Sequence, residues 1–166
     1  MLVTGCASIT SQPKAPATST AADSASETRQ AAAAQPLARL RDGNGFLLQV
    51  DTAVKDPGGV LTVSGTLTNA SPKSRVVTAF LRGDETEILV HGLSLGGATL
   101  TDARGKKRYY VLRDTDGRPL TTTGLSILDA GQTVPIYMQF PAPPATTTQV
   151  TLQLPTFSSA TIALSQ

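Results

Sequence analysis

Residues 60–69 read Val-Leu-Thr-Val-Ser-Gly-Thr-Leu-Thr-Asn, and this stretch decides the fold class. Leu61, Val63, Gly65 and Leu67 alternate with Thr62, Ser64, Thr66 and Thr68. Successive side chains of an extended chain point to opposite faces, so this period of two describes a strand with an apolar face on a core and a threonine face toward solvent. Valine and threonine branch at Cβ, which stiffens them and suits them to a pleated surface. Asn69-Ala70-Ser71-Pro72 ends the run with residues that favour turns.

The same grammar extends to both sides. Upstream, Leu48, Val50, Thr52 and Val54 alternate with Leu47, Gln49, Asp51 and Ala53, and Asp56-Pro57-Gly58-Gly59 then turns the chain. Downstream, Val76 to Leu81 and Glu87 to Leu93 read as strands around the acidic turn Gly83-Asp84-Glu85. Thr99 to Asp102 and Lys107 to Arg113 form a hairpin about Ala103-Arg104-Gly105, with Tyr109 and Val111 on one side and Tyr110 and Leu112 on the other. Val134, Ile136, Met138 and Phe140 share a face of a later strand, where Pro135 implies a sheet edge or a bulge. Val150, Leu152 and Leu154, then Ile162 and Leu164, supply the last short strands. About seven to nine short strands separated by turn signals predict two packed antiparallel sheets: an all-β, immunoglobulin-like β-sandwich over residues 43–166.

Residues 7–42 have another composition, rich in Ala, Ser, Thr and Pro, with few large apolar side chains. Such a segment buries too little surface to offset its ordering entropy and is expected to be a disordered tether. A flexible chain of about 32 residues has an r.m.s. span of roughly 30 Å. Ahead of it, residues 1–6 end in Val3-Thr4-Gly5-Cys6, which resembles the lipobox of bacterial lipoproteins, in which a small residue precedes the Cys that receives lipid. The resemblance implies lipidation of Cys6 and residues 1–6 as the remnant of a signal peptide. A secretory signal needs a positively charged segment and an apolar stretch of about 7 to 15 residues before cleavage, so this reading requires signal residues upstream of Met1.

Composition removes several function classes. With aromatics at 4% and no Trp, stacking surfaces for single-stranded nucleic acid or sugars are poorly supplied. The net charge of +2 is too small to imply nucleic acid. A single Cys and a single His exclude an internal disulfide and a metal site of the Cys/His kind. No apolar run reaches the roughly 20 residues that a membrane-spanning helix needs.

Enzyme chemistry has little to work with. His91, in Leu89-Val90-His91-Gly92-Leu93, stands among apolar neighbours and reads as a strand-end or core-edge residue rather than a base. Asp114-Thr115-Asp116-Gly117 opens like a calcium loop, but Gly comes too early and Leu125 stands where the bidentate Glu belongs, so an Asp-Gly turn is expected. Asp84, Glu85, Glu87, Asp114 and Asp116 fall in turns or on exposed edges, where carboxylates rarely become buried enough to serve as acid and base. No cofactor and no catalytic residue is expected. The one charge cluster is Arg104, Lys106, Lys107 and Arg108 at a hairpin tip, with Arg113 and Arg118 further along; it could meet anionic lipid headgroups or acidic wall polymers.

The run from Val60 to Leu154 resembles the Ig-like domain of Gram-positive and actinobacterial surface lipoproteins. The residues that carry the likeness are the Gly65-Thr66-Leu67-Thr68-Asn69 strand end, Leu100 to Lys106, Tyr109 to Asp114, Leu128 to Gln132 and Phe140 to Pro144. It implies a lipid-anchored, extracytoplasmic accessory protein, non-enzymatic, whose domain binds or scaffolds an anionic envelope polymer or another envelope protein. The alternative is a soluble secreted β-sandwich that binds a small ligand or metal ion through its loops.

Overall fold

A computed structural model describes residues 35–83 and 92–166, which lie within the unit Ala33–Gln166. The signal remnant, most of the tether, Cys6, His91 and the acidic residues Asp84, Glu85 and Glu87 lie outside the described residues, as does most of the strand expected over Glu87 to Leu93.

Among the described residues ten strands, rather than seven to nine, follow in order: β1 (Ala38–Arg41), β2 (Phe46–Lys55), β3 (Val60–Asn69), β4 (Arg75–Val76), β5 (Thr99–Asp102), β6 (Lys107–Tyr110), β7 (Ile127–Leu128), β8 (Thr133–Pro141), β9 (Gln149–Gln153) and β10 (Ala160–Ala163). They form one antiparallel sheet in the order β1-β2-β3-β8, a second in the order β10-β9-β5-β6, and a two-stranded arm, β4-β7. Leu40, Leu48, Leu61, Leu67, Met138 and Phe140 of the first sheet share a buried cluster with Leu100, Val150, Leu152 and Ile162 of the second. Each such side chain contributes about 1.5–3 kcal/mol when fully buried, and neither sheet could cover its own apolar face alone. The fold is an all-β antiparallel sandwich. In antibody domains the second and third strands lie in opposite sheets; here β2 and β3 form a hairpin within one sheet.

Residues 60–69 form β3 at the centre of the first sheet, hydrogen-bonded to β2 on one side and β8 on the other. Leu61, Val63, Gly65 and Leu67 face the core, and the threonine face is half-buried rather than open. Pro135 sits in β8, the last strand of the sheet order, where a missing N–H is tolerated.

Three expectations are corrected. The domain begins before residue 43, because Ala38–Arg41 pairs with β2 and buries Leu40 completely; one leucine at the right register outweighs a tether-like composition around it. The alternation in β2 breaks where the register shifts between Val50 and Thr52, so that Ala53 turns inward and Val54, 41% exposed, turns out. The extra residue of a bulge inverts the side-chain phase for the rest of the strand. Val76 to Leu81 is not one strand: Val76 ends β4, and Thr78 then caps a short 3-10 helix, Ala79–Arg82, by accepting the Phe80 N–H on its side chain.

Candidate functional site

The β5–β6 hairpin carries the cationic residues, and Asp102 shapes its turn. Strands of four residues pair from Thr99↔Tyr110 to Asp102↔Lys107. Asp102 Oδ1 accepts the backbone N–H groups of Arg104 and Gly105, both at 2.9 Å, as short polar side chains do when they close a turn. A Cβ at Gly105 would lie 2.7 Å from Asp102 Oδ2, which accounts for glycine there. Lys106 follows in the left-handed region at φ 51°, uncommon for a residue with a side chain.

Asp102 itself is buried and reaches across the sheet end: its Oδ2 accepts the Thr147 hydroxyl at 2.8 Å. The Gly105 N–H, then the Thr147 hydroxyl, hold its carboxyl below the usual range; desolvation opposes them, and the backbone and charge of Arg104 add to the lowering. The carboxylate therefore stays ionised and clamps the tip to the loop ahead of β9.

Arg104, Lys106, Lys107 and Arg108 are all exposed, as expected, and none is in an ion pair with a carboxylate among the described residues. They do not share one face. Successive residues of β6 alternate, so Arg108, level with Thr101, lies on the outer surface of the second sheet, while Lys107, level with Asp102, lies on the other side. Arg118 instead lies 3.9 Å from Asp116.

Beside the turn, the outer surface carries a cleft of about 170 Å³ whose lining includes Thr101, Arg104, Thr147, Thr148, Thr151 and Thr161. The register places Arg108, Thr101, Thr151 and Thr161 in one row across β6, β5, β9 and β10. Tyr110, Thr99 and Gln153 form the adjacent row, with Tyr110 57% exposed. Thr101 Oγ1 and Tyr109 Oη are buried and have no hydrogen-bond partner among the described residues. Burial, and secondarily the Asp102 charge, raise the Tyr109 phenol above its usual value.

No protein-family model matches the chain, and no curated protein matches it. Among solved structures, a functionally unknown protein from Listeria monocytogenes EGD-e is similar, with 13% sequence identity and a TM-score of 0.43 over 78% of this chain and 84% of that one.

Asp114 Oδ1 accepts the N–H groups of Asp116 at 2.9 Å and Arg118 at 2.8 Å, so the segment that opens like a calcium loop is closed by its own backbone. No group of three or more His, Cys, Asp or Glu side chains that could hold a metal occurs among the described residues. No helix among them is long and apolar enough to cross a membrane. Asp102 and the threonine row escaped the sequence reading. The one partner of Asp102 that would have marked it, Thr147, lies 45 residues away, and the row exists only once the strand registers are known.

Proposed function

We propose that this chain is a non-enzymatic, lipid-anchored component of the bacterial cell envelope, whose sandwich presents a cationic hairpin to an anionic envelope partner. The supporting observation is the tip itself: Arg104, Lys106, Lys107 and Arg108 stand exposed on a turn clamped by Asp102, and among the described residues none of them is in an ion pair with a carboxylate. A rigid tip loses little freedom on contact, and a Lys or Arg near an anionic surface contributes about 1 kcal/mol, less as salt rises. The anchor is Cys6, with residues 7–37 as the tether that sets how far the tip reaches.

Two measurements test this. The variant with Arg104, Lys106, Lys107 and Arg108 all changed to Gln should lose low-salt retention on an anionic matrix while melting at the wild-type temperature; unchanged retention would overturn the cationic contact. Expressed from a coding sequence extended upstream to supply a signal, the wild type should partition with membranes and Cys6→Ser should be released. Release of both would remove the anchor.

A further inference from the structure

We propose that the outer face of the second sheet is a binding groove for an acidic polysaccharide, and that the cleft beside the β5–β6 turn is part of it. This rests on the cationic-contact reading and narrows its partner to one chemistry. The row Arg108, Thr101, Thr151 and Thr161 places one hydrogen-bonding side chain on each of four neighbouring strands. Neighbouring strands lie about 4.8 Å apart, a step comparable to the advance of one sugar along an extended glycan. Hydroxyls both donate and accept, which suits a ligand whose own groups are hydroxyls. The Arg108 guanidinium at the edge is a planar fork for a carboxylate. In the adjacent row the exposed ring of Tyr110 offers an apolar plane with a polar tip, the kind of surface on which the C–H face of a sugar rests.

Two observations separate this face from an ordinary solvated sheet surface. The row runs into a cleft, and Thr101, which lines that cleft, carries a buried hydroxyl with no partner among the described residues. A buried hydroxyl left unpaired is unfavourable, and a rotation of the Thr101 side chain toward the cleft would let a ligand hydroxyl supply the missing bond. The two competing anionic partners fit less well. Residues 104–108 hold no large apolar side chain to enter an acyl layer, and Lys107 and Arg108 point to opposite sides of the hairpin, which divides the charge that a flat headgroup surface would meet. Single-stranded nucleic acid needs a succession of stacking rings, and these two rows contain Tyr110 alone.

The test measures binding of the whole chain to an oligogalacturonate, to its neutral methyl ester, and to vesicles of phosphatidylglycerol and phosphatidylcholine. The acidic oligomer should bind, with the ester about tenfold weaker or worse, because the ester lacks the charge that Arg108 recognises. Thr151→Val with Thr161→Val preserves every charge and the β-branched shape, and should weaken the oligomer by about tenfold or more without affecting vesicle co-sedimentation. Thr161→Val alone, at an exposed position, gives a second variant in case the pair disturbs the fold, and should weaken the oligomer in the same direction. Full oligomer affinity in these folded variants, or binding to vesicles without binding to the oligomer, overturns the groove and leaves the cationic contact standing. Binding to neither overturns both.

Discussion

Thr147 donates its hydroxyl to Asp102 Oδ2 at 2.8 Å, joining the loop ahead of β9 to the turn that ends β5. With the N–H groups of Gly105 and Arg104 on the other oxygen, this bond favours the charged carboxyl and lowers its pKa. A carboxyl lowered on folding contributes stability that is fully present above its unfolded value, about 3.9, and is lost as pH falls through the folded value. Asp102→Asn should therefore melt below wild type near pH 7, with the difference shrinking at pH values below about 4. Thermal melts of the two proteins across this range check it. A constant difference at every pH would mean that the charge of Asp102 contributes nothing.

Asn69, fully buried at the end of β3, carries a second clamp. Its Nδ2 donates to the carbonyl oxygens of Lys73, Leu128 and Asp129 at 2.8, 2.9 and 3.1 Å, and its Oδ1 accepts the Ser71 N–H and hydroxyl at 3.0 and 2.7 Å. The amide thus holds the β4–β7 arm to the end of the first sheet. Asn69→Ala leaves those buried groups unpaired and should cost about 2–4 kcal/mol, measured by urea unfolding. Asn69→Asp should destabilise at neutral pH, since a carboxylate cannot donate to three carbonyls. A loss below about 0.5 kcal/mol for Asn69→Ala would show that water replaces the amide.

Gly65 is the third. A Cβ there would collide with the backbone carbonyl of Gln49, because the bulge after Val50 brings β2 close to β3 at that point. Backbone on both sides of the clash leaves nothing flexible to yield. Gly65→Ala should destabilise by on the order of 3 kcal/mol, although alanine ordinarily improves on glycine within a strand. Urea unfolding again reads the outcome, and a neutral Gly65→Ala would place the bulge elsewhere.

These positions mark what a sequence can and cannot carry. Leu61, Val63 and Leu67 announced β3, and Val134 to Phe140 announced β8, since side-chain phase is written directly in residue order. The same phase failed in β2, where the bulge at Asp51 leaves no signal of its own and its trace is the glycine at position 65 on another strand, where a Cβ would collide with Gln49. Leu40 was lost because β1 is short and follows a polar tail, so that pairing with β2 rather than local preference makes it a strand. The cations of the hairpin were legible one by one. Their division between two faces, and the alignment of Thr101, Thr151 and Thr161, follow from registers set by the whole sandwich.

Tyr109 tests the packing beneath the hairpin. It packs partly buried against the core, its Oη is buried with no hydrogen-bond partner among the described residues, and burial first, then the charge of Asp102, raises its pKa. A hydroxyl that forms no bond in the folded protein gives up its bonds to water on folding, so removing it should not destabilise. Tyr109→Phe is expected to match wild type near neutral pH or to exceed it by up to about 1 kcal/mol. The raised pKa adds a signature at alkaline pH. A phenol harder to ionise when folded contributes stability that is present below its unfolded value, about 10, and is lost as pH rises through the folded value. Wild type should therefore lose ground to Tyr109→Phe above about pH 10. Melting curves for the pair on both sides of that value decide the matter: a Phe variant clearly less stable at neutral pH would mean that the hydroxyl has a partner after all, and the unpaired hydroxyl of Thr101 in the neighbouring cleft would then need the same scrutiny.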